Sequence, residues 1–117
     1  MFIIKRVRPF VKNRAKRQTI GMPKLQMVDT GLACHLLGLT SPAQLLQSNF
    51  YGGLLESFVV MECFKHMGWS QQTMKVYHYR DKRKNEVDIV LYTGSAVLPF
   101  QIGERTCYAL PLSMLWV

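Results

Sequence analysis

Acidic residues are scarce in this chain and absent from its first 24 residues. The 117 residues include 15 lysines and arginines but only 7 aspartates and glutamates, which gives a net charge of +8 at pH 7. The basic residues of the first segment are Lys5, Arg6, Arg8, Lys12, Arg14, Lys16, Arg17 and Lys24. The rest of the chain is balanced, so the whole excess belongs to residues 1–24. Such a segment predicts contact with nucleic-acid phosphate, another anionic surface or an acidic partner domain, although a solvated basic arm has the same composition.

Long apolar runs are missing as well. A membrane-spanning helix needs about 20 consecutive apolar residues, and no stretch of the sequence reaches that length. The apolar start of the chain is too short for a secretory signal, and charged residues follow it. We therefore expect a cytoplasmic protein with no membrane segment.

Cysteine is rare, and the three that occur, Cys34, Cys63 and Cys107, are far apart. Without a CxxC pair or a Cys/His cluster, neither structural zinc nor a disulfide framework is expected, and the thiols should be reduced and mostly buried. The chain also lacks a GxxxxGK[S/T] sequence. It therefore cannot bind ATP through a phosphate-binding loop of that kind.

The apolar fraction of 49% and the charged fraction of 19% suit one globular domain with one core. Alternating or continuous apolar patterns predict strands over residues 2–7, 25–28, 75–80, 86–92 and 97–102. Helical patterns and capping signals predict helices over 32–37, from Ser41-Pro42, and over 51–67. Asp29 or Thr30 should cap the first helix, and Gly38 should end it. The fold class expected is α/β (mixed α+β), with the helix over 51–67 packed on a small mixed sheet.

A helix-turn-helix around residues 68–70 is an alternative for the middle of the chain. It requires a second helix over residues 71–79. The alternation of Val76 and His78 with Tyr77 and Tyr79 favours a strand instead.

The last two predicted strands should form a hairpin with a tight turn over residues 93–95 and a polar turn before it over residues 81–85. Strand parity places Val87, Ile89 and Leu91 on one face, and Glu86 and Asp88 on the other. The same parity predicts Asp88 and Gln101 on one sheet face. Pro99 predicts an edge or a bulge, because proline cannot donate to a strand ladder.

Glu56 is predicted to lie on an apolar side of the longest helix. On a helical wheel it falls close to Val60, Cys63 and Met67 and far from Lys65. A carboxylate in that position needs a partner, a metal ion or a proton. The alternative interpretation is favourable placement near the positive end of the helix dipole.

These residues form the layout of a metal-dependent nuclease site: Glu56 on a helix, Asp88 on one strand, and positions 101 and 103 on the next. In such a site two carboxylates hold a divalent cation, Mg²⁺ here, and a lysine helps to activate water. The positions fit but the residue types do not. Gln101 carries no charge and Gly103 has no side chain.

Four stretches in order carry a resemblance to a known family: Pro23–Leu32, Gly53–Val59, Tyr79–Asp81 and Glu86–Leu91. The sequence resembles the C-terminal domain found in many prokaryotic AAA-type ATP-binding proteins, a domain of unknown function. The resemblance spans about residues 7 to 102 and implies a restriction-endonuclease-like fold. It also implies an ATPase domain as a partner and a strand ending in Glu-x-Lys, where this chain has Gln101-Ile102-Gly103.

The resemblance stops after Gly103, and we therefore divide the chain into three parts. Residues 1–24 form a basic strand and arm, residues 25–103 a nuclease-like domain, and residues 104–117 an atypical tail. The chain is expected to be a truncated or frame-shifted remnant of a longer ATPase. The function predicted first is a non-catalytic accessory domain that binds DNA or a partner, such as an ATPase domain or a second copy. A metal-dependent nuclease and a structural fragment without independent activity are the alternatives.

Overall fold

A computed structural model describes residues 3–10, 22–71, 73–80, 86–103 and 107–109, the last stretch as backbone only. Along the chain the elements are β1 (Ile4–Val7), β2 (Lys24–Met27), α1 (Thr30–Leu36), α2 (Pro42–Gln47), α3 (Tyr51–Trp69), β3 (Lys75–Arg80), β4 (Glu86–Tyr92), β5 (Val97–Ile102) and β6 (Cys107–Ala109). This is a mixed α+β fold, as expected. The polar turn predicted over residues 81–85 and most of the 104–117 tail lie outside the described residues.

The first two strands form an antiparallel ribbon in which Ile4 lies opposite Met27 and Val7 opposite Lys24. Beyond β1, Pro9 forms an isolated parallel bridge with His78 of β3. The amide of His78 donates to the carbonyl of Arg8 at 3.1 Å, and the amide of Phe10 donates to the carbonyl of His78 at 2.7 Å. The ribbon is thereby attached to the edge of the larger sheet.

The two short helices begin and end as their capping residues predict. The Asp29 carboxylate accepts a hydrogen bond from the amide of Leu32 at 3.0 Å and caps α1. Gly38 follows the C-cap of α1 with φ of 73°, a left-handed conformation that glycine adopts without steric cost. The Ser41 hydroxyl accepts from the amide of Gln44 at 3.3 Å and caps α2.

The long helix α3 packs its buried residues Leu54, Ser57 and Val60 towards the ribbon and the larger sheet. It extends two residues beyond the predicted end at Met67. Within the part of the chain that the structure describes, no helix is both long and apolar enough to cross a membrane.

The larger sheet is an antiparallel meander in the order β3-β4-β5-β6. Both sheets are therefore antiparallel, and within the described residues the parallel component of the expected mixed sheet is one isolated bridge, between Pro9 and His78. In the larger sheet, short connections between successive strands explain this, because a parallel pair needs a long crossover. Strand β3 covers most of the segment that a helix-turn-helix would need as its second helix, which excludes that alternative.

A β-bulge in β4 changes the faces that its residues occupy. Tyr77 pairs with Val90 and Tyr79 with Val87, so β4 holds one residue more than β3 between these pairs. The prediction that Val87 and Ile89 point one way is therefore wrong. Val87 packs in one core cluster and Ile89 in the other, because an extra residue shifts strand parity by one position.

The two core clusters lie on opposite sides of the larger sheet. One holds Phe10, Tyr79, Val87 and Val90, and the other holds Val7, Val60, Val76 and Ile89. The second cluster joins β1, α3 and the sheet, so the basic N-terminal strand contributes to the same core as the rest of the chain.

The hairpin between β4 and β5 is confirmed. Its turn spans residues 93–96, with the Thr93 amide donating to the Ala96 carbonyl at 3.1 Å and Gly94 at φ of 93°. Pro99 pairs with Val90 on β4. In the described structure, β6 pairs with residues 100–102 of β5. Pro99, which has no amide hydrogen to donate, therefore lies outside the described pairing with β6.

Candidate functional site

Glu56 lies half-buried on α3 and is held by two residues of β2. The ammonium of Lys24 lies 2.5 Å from Glu56 Oε1, and the Gln26 side-chain amide donates to the same oxygen at 2.8 Å. Lys24 and Gln26 are two residues apart on a strand, so both side chains leave the same face. The carboxylate has therefore found a partner. The dipole interpretation loses its basis, because the first turn of α3 contains no acidic residue.

A second set of hydrogen bonds continues this contact between β2 and α3. The Ser57 hydroxyl donates to Gln26 Oε1 at 2.6 Å and accepts from the Met27 amide at 3.2 Å. Gln26 and Ser57 are both buried. We call Lys24, Gln26, Glu56 and Ser57 the polar clamp. Its geometry satisfies polar groups that would otherwise be costly to bury.

Asp88 lies at the bulge of β4 in a different environment. Its Oδ2 accepts a hydrogen bond from the backbone amide of Ile102 on β5 at 3.0 Å. Burial raises the pKa of Asp88 above its ordinary value, the Ile102 hydrogen bond opposes this, and the nearby Glu56 carboxylate raises the pKa further. The ammonium of Lys24 lowers it. Desolvation is the leading cause, because the anionic form of Asp88 is less favourable in the protein than in water.

Glu56 and Asp88 line a common cavity of about 270 Å³, together with Gly103. Three of the four positions of the nuclease-like layout therefore line one cavity. Gln101 is not among the described residues that line it. The Gln101 side-chain oxygen is buried and has no hydrogen-bond partner within the described part of the chain. A common face for Asp88 and Gln101 stays a prediction.

Lys24 and His78 were not predicted as part of this region. Both line a smaller cavity of about 160 Å³ that Asp88 also borders. Burial lowers the pKa of His78, which is partly opposed by the hydrogen bond of its Nε2 to the Met22 carbonyl at 3.1 Å. Because a carbonyl only accepts, Nε2 carries the proton in the neutral ring. The position of Lys24 two residues before the polar Gln26 was a sequence signal that could have placed Lys24 in this region. The sequence held no such signal for His78.

The residues present do not fit a divalent cation. One Glu56 oxygen is already occupied by an ammonium and an amide. Asp88 favours its protonated form more than an ordinary aspartate does. No group of three metal-binding side chains occurs within the described residues. Hard cations need several charged or strongly polar oxygens, and the described residues offer Mg²⁺ too few of them.

The described basic residues of the first segment lie in different environments. Lys5, Arg6 and Arg8 are exposed on and beside β1, with the Lys5 ammonium 3.9 Å above the centre of the Phe64 ring. Lys24, in contrast, is engaged by Glu56. The remaining four, Lys12, Arg14, Lys16 and Arg17, lie outside the described residues.

The described cysteines agree in part with the expectation of reduced and mostly buried thiols. Cys34 and Cys63 are half-buried and form no disulfide within the described part of the chain. The side chain of Cys107 lies outside that part.

Two family models match the chain. Residues 51–108 are similar to a family described as a domain of unknown function (DUF4143). Residues 1–43 are similar to a second family, also described as a domain of unknown function (DUF8612). No characterised protein and no solved structure shows a significant match. The first match contains Glu56 and Asp88, and the second contains Lys24 and Gln26. The polar clamp therefore joins the two matched stretches.

Proposed function

We propose that the chain is a non-catalytic accessory module with a degenerate nuclease-like site. The observation that carries this is the ion pair between Lys24 and Glu56. An internal ammonium neutralises the carboxylate that would otherwise serve as an anionic ligand. Gln101 and Gly103 supply neither a replacement anion nor an ammonium group, so the site has lost both parts of the Glu-x-Lys pair.

The arrangement of elements supports the restriction-endonuclease-like part of this proposal. A long helix bearing Glu56 precedes an antiparallel meander, and Asp88 lies on the second strand of the meander. Glu56, Asp88 and Gly103 line one cavity. This is the layout that the resemblance to the C-terminal domain of AAA-type ATP-binding proteins implies. In this proposal an ATPase domain is the partner that hydrolyses ATP.

A plasmid-nicking assay tests the absence of catalysis. We expect no metal-dependent nicking by the purified chain with added Mg²⁺ or Mn²⁺, since a site needs both geometry and chemistry. The control is Asp88→Ala prepared in the same way. Nicking that depends on metal and disappears in Asp88→Ala would overturn the proposal. Equal nicking by both proteins would identify a contaminant.

One observation favours the nuclease alternative. Lys24 brings an ammonium group to the edge of a site in which position 103 has none, and it lines a cavity together with Asp88. An ammonium near a phosphate can neutralise developing negative charge. If nicking occurs, its loss in both Asp88→Ala and Lys24→Met would support this alternative over a role for residues elsewhere.

Binding of polyanions by the N-terminal segment is the activity that we assign to the module. The exposure of Lys5, Arg6 and Arg8 supports it. If about four basic residues contact phosphate, the logarithm of the association constant should fall against the logarithm of salt concentration with a slope of about −3 to −4. Random duplex DNA in a salt titration measures this slope.

Replacement of Lys12, Arg14, Lys16 and Arg17 by alanine should flatten the slope, and so should Arg6→Ala with Arg8→Ala. Lys75→Ala is the matched control, because Lys75 is an exposed basic residue outside the segment. Failure to bind at low salt would contradict the assignment. So would equal slopes for the control and the segment variants.

A further inference from the structure

Helix α3 exposes apolar side chains on the side away from the core. Val60 is completely buried, whereas Phe58, two residues earlier, is 51% exposed and Trp69 is 90% exposed. Two residues correspond to about 200° of rotation round a helix, so Phe58 and Val60 lie on opposite sides. A helix that is apolar on both sides is usually enclosed on both. Within the described part of the chain, only one side is covered.

The exposed side has a regular pattern. Phe58, Glu62, Lys65 and Trp69 are separated by four, three and four residues, which places them along one stripe of the helix. We call these four residues the outer stripe. Alternating steps of three and four are the spacing by which one helix presents a seam to another helix. The stripe has an aromatic residue at each end and an opposite charge pair between them.

We propose that the outer stripe is the contact surface for a second copy of this chain, with the two α3 helices antiparallel. A two-fold axis requires that residue i meets residue j and that j meets i. With the axis midway between Glu62 and Lys65, Phe58 meets Trp69 of the second copy, and Glu62 meets its Lys65. The stripe is therefore complementary to itself in both apolar surface and charge.

Charge decides the direction of the two helices. A parallel arrangement would place Glu62 against Glu62 and Lys65 against Lys65, and juxtaposed like charges oppose association. The antiparallel arrangement pairs each carboxylate with an ammonium. Within one chain Lys65 already donates to Glu62 at 2.9 Å. Because exposed ion pairs of this kind contribute little, the same groups can turn to the second copy at small cost.

The contact is small, since a single pair of helices buries less area than a standard interface of about 1,600 Å². We expect a dissociation constant on the order of 10 to 100 µM. Sedimentation equilibrium of the whole chain over a range of concentrations measures it. A chain that is still monomeric at about 1 mM would overturn the proposal.

Apolar variants test the location of the contact. Phe58→Glu and Trp69→Glu should each raise the dissociation constant at least about tenfold, because each places a charge in the seam. Leu36→Glu is the matched control, since Leu36 on α1 is 72% exposed and lies outside the stripe. Circular dichroism checks that each variant is folded. An equal effect of Leu36→Glu and Phe58→Glu would overturn the location.

Charge reversal tests the antiparallel pairing. Glu62→Lys alone and Lys65→Glu alone should each self-associate at least about tenfold more weakly, because each faces like charges across the axis. A mixture of the two variants should form heterodimers, since each lysine of one then faces a glutamate of the other. The double variant Glu62→Lys/Lys65→Glu should dimerise as the wild type does. No preference of the two single variants for each other would overturn the pairing.

Discussion

Glu56 and Asp88 line the same cavity, yet the protein treats the two carboxylates differently. Glu56 is met by the Lys24 ammonium and the Gln26 amide. Asp88 receives one backbone hydrogen bond from Ile102, and burial raises its pKa. The difference shows that β2 supplies the partners of Glu56, whereas burial dominates the environment of Asp88. This strand comes from the stretch that matches a different family model from the one that contains both acids.

The comparison also bears on the metal-dependent nuclease alternative. The Lys24 ammonium balances the charge of Glu56. Burial favours the protonated form of Asp88. A nuclease site needs two anionic carboxylates at neutral pH. Here one is held in an ion pair with a lysine, and burial raises the pKa of the other above its ordinary value.

The largest effect is expected from Lys24→Met. Glu56 would then be a largely buried carboxylate without its charge partner, which should lower the free energy of unfolding by about 2 kcal/mol, below the value for fully buried pairs because Lys24 is partly exposed. Urea unfolding at one fixed protein concentration measures the change. The double variant Lys24→Met/Glu56→Gln should recover most of it. A single variant within about 0.5 kcal/mol of wild type would show that the pair is not coupled to stability.

Ser57→Ala should produce the next largest effect. It leaves Gln26 Oε1 and the Met27 amide without their partner in a buried contact, at a cost of about 1 to 2 kcal/mol. Adding Gln26→Leu removes one of the two groups left unpaired. The loss for the double variant should therefore be smaller than the sum of the single losses. Additive losses would mean that the polar clamp does not act as a unit.

Asp88→Asn should stabilise the protein at neutral pH. Because the pKa of Asp88 is raised in the folded state, the folded chain binds this proton more tightly than the unfolded chain does. Stability therefore falls as the pH rises from the ordinary aspartate pKa through the folded pKa. Asparagine keeps an oxygen for the Ile102 amide but cannot ionise. Its advantage in urea unfolding should be present at about pH 7 and vanish at about pH 3, and an advantage independent of pH would contradict the stated cause.

His78 should give the smallest effect and with the opposite pH dependence. Its folded pKa lies below the ordinary value of 6.5 because the ring is buried. The unfolded chain then binds the proton more tightly, so stability falls as the pH decreases from 6.5 through the folded pKa. His78→Gln keeps a donor for the Met22 carbonyl and should remove this dependence. Thermal unfolding between about pH 7 and pH 5 compares the two proteins, and parallel curves would contradict the prediction.

Local sequence was sufficient for most elements of the fold. The Asp29 cap, the left-handed Gly38, the Ser41-Pro42 helix start and the Gly94 turn each depend on a few neighbouring residues, and all are present. Alternation predicted β3, β4 and β5 with their bounds, because the period of two reflects burial on one face of a strand. These features are determined within one element or one turn, so the sequence by itself determines them.

The features that define the candidate site were decided by the tertiary structure. Lys24 was predicted as part of a basic segment, and only the packing of β2 on α3 places its ammonium on Glu56. The bulge in β4 moves Val87 to the opposite face from Ile89, since parity cannot be counted across an extra residue. The bridge between Pro9 and His78 joins segments far apart in the chain. Each depends on contacts between distant residues, whose energies arise only when the elements pack and leave no periodic signal in the sequence.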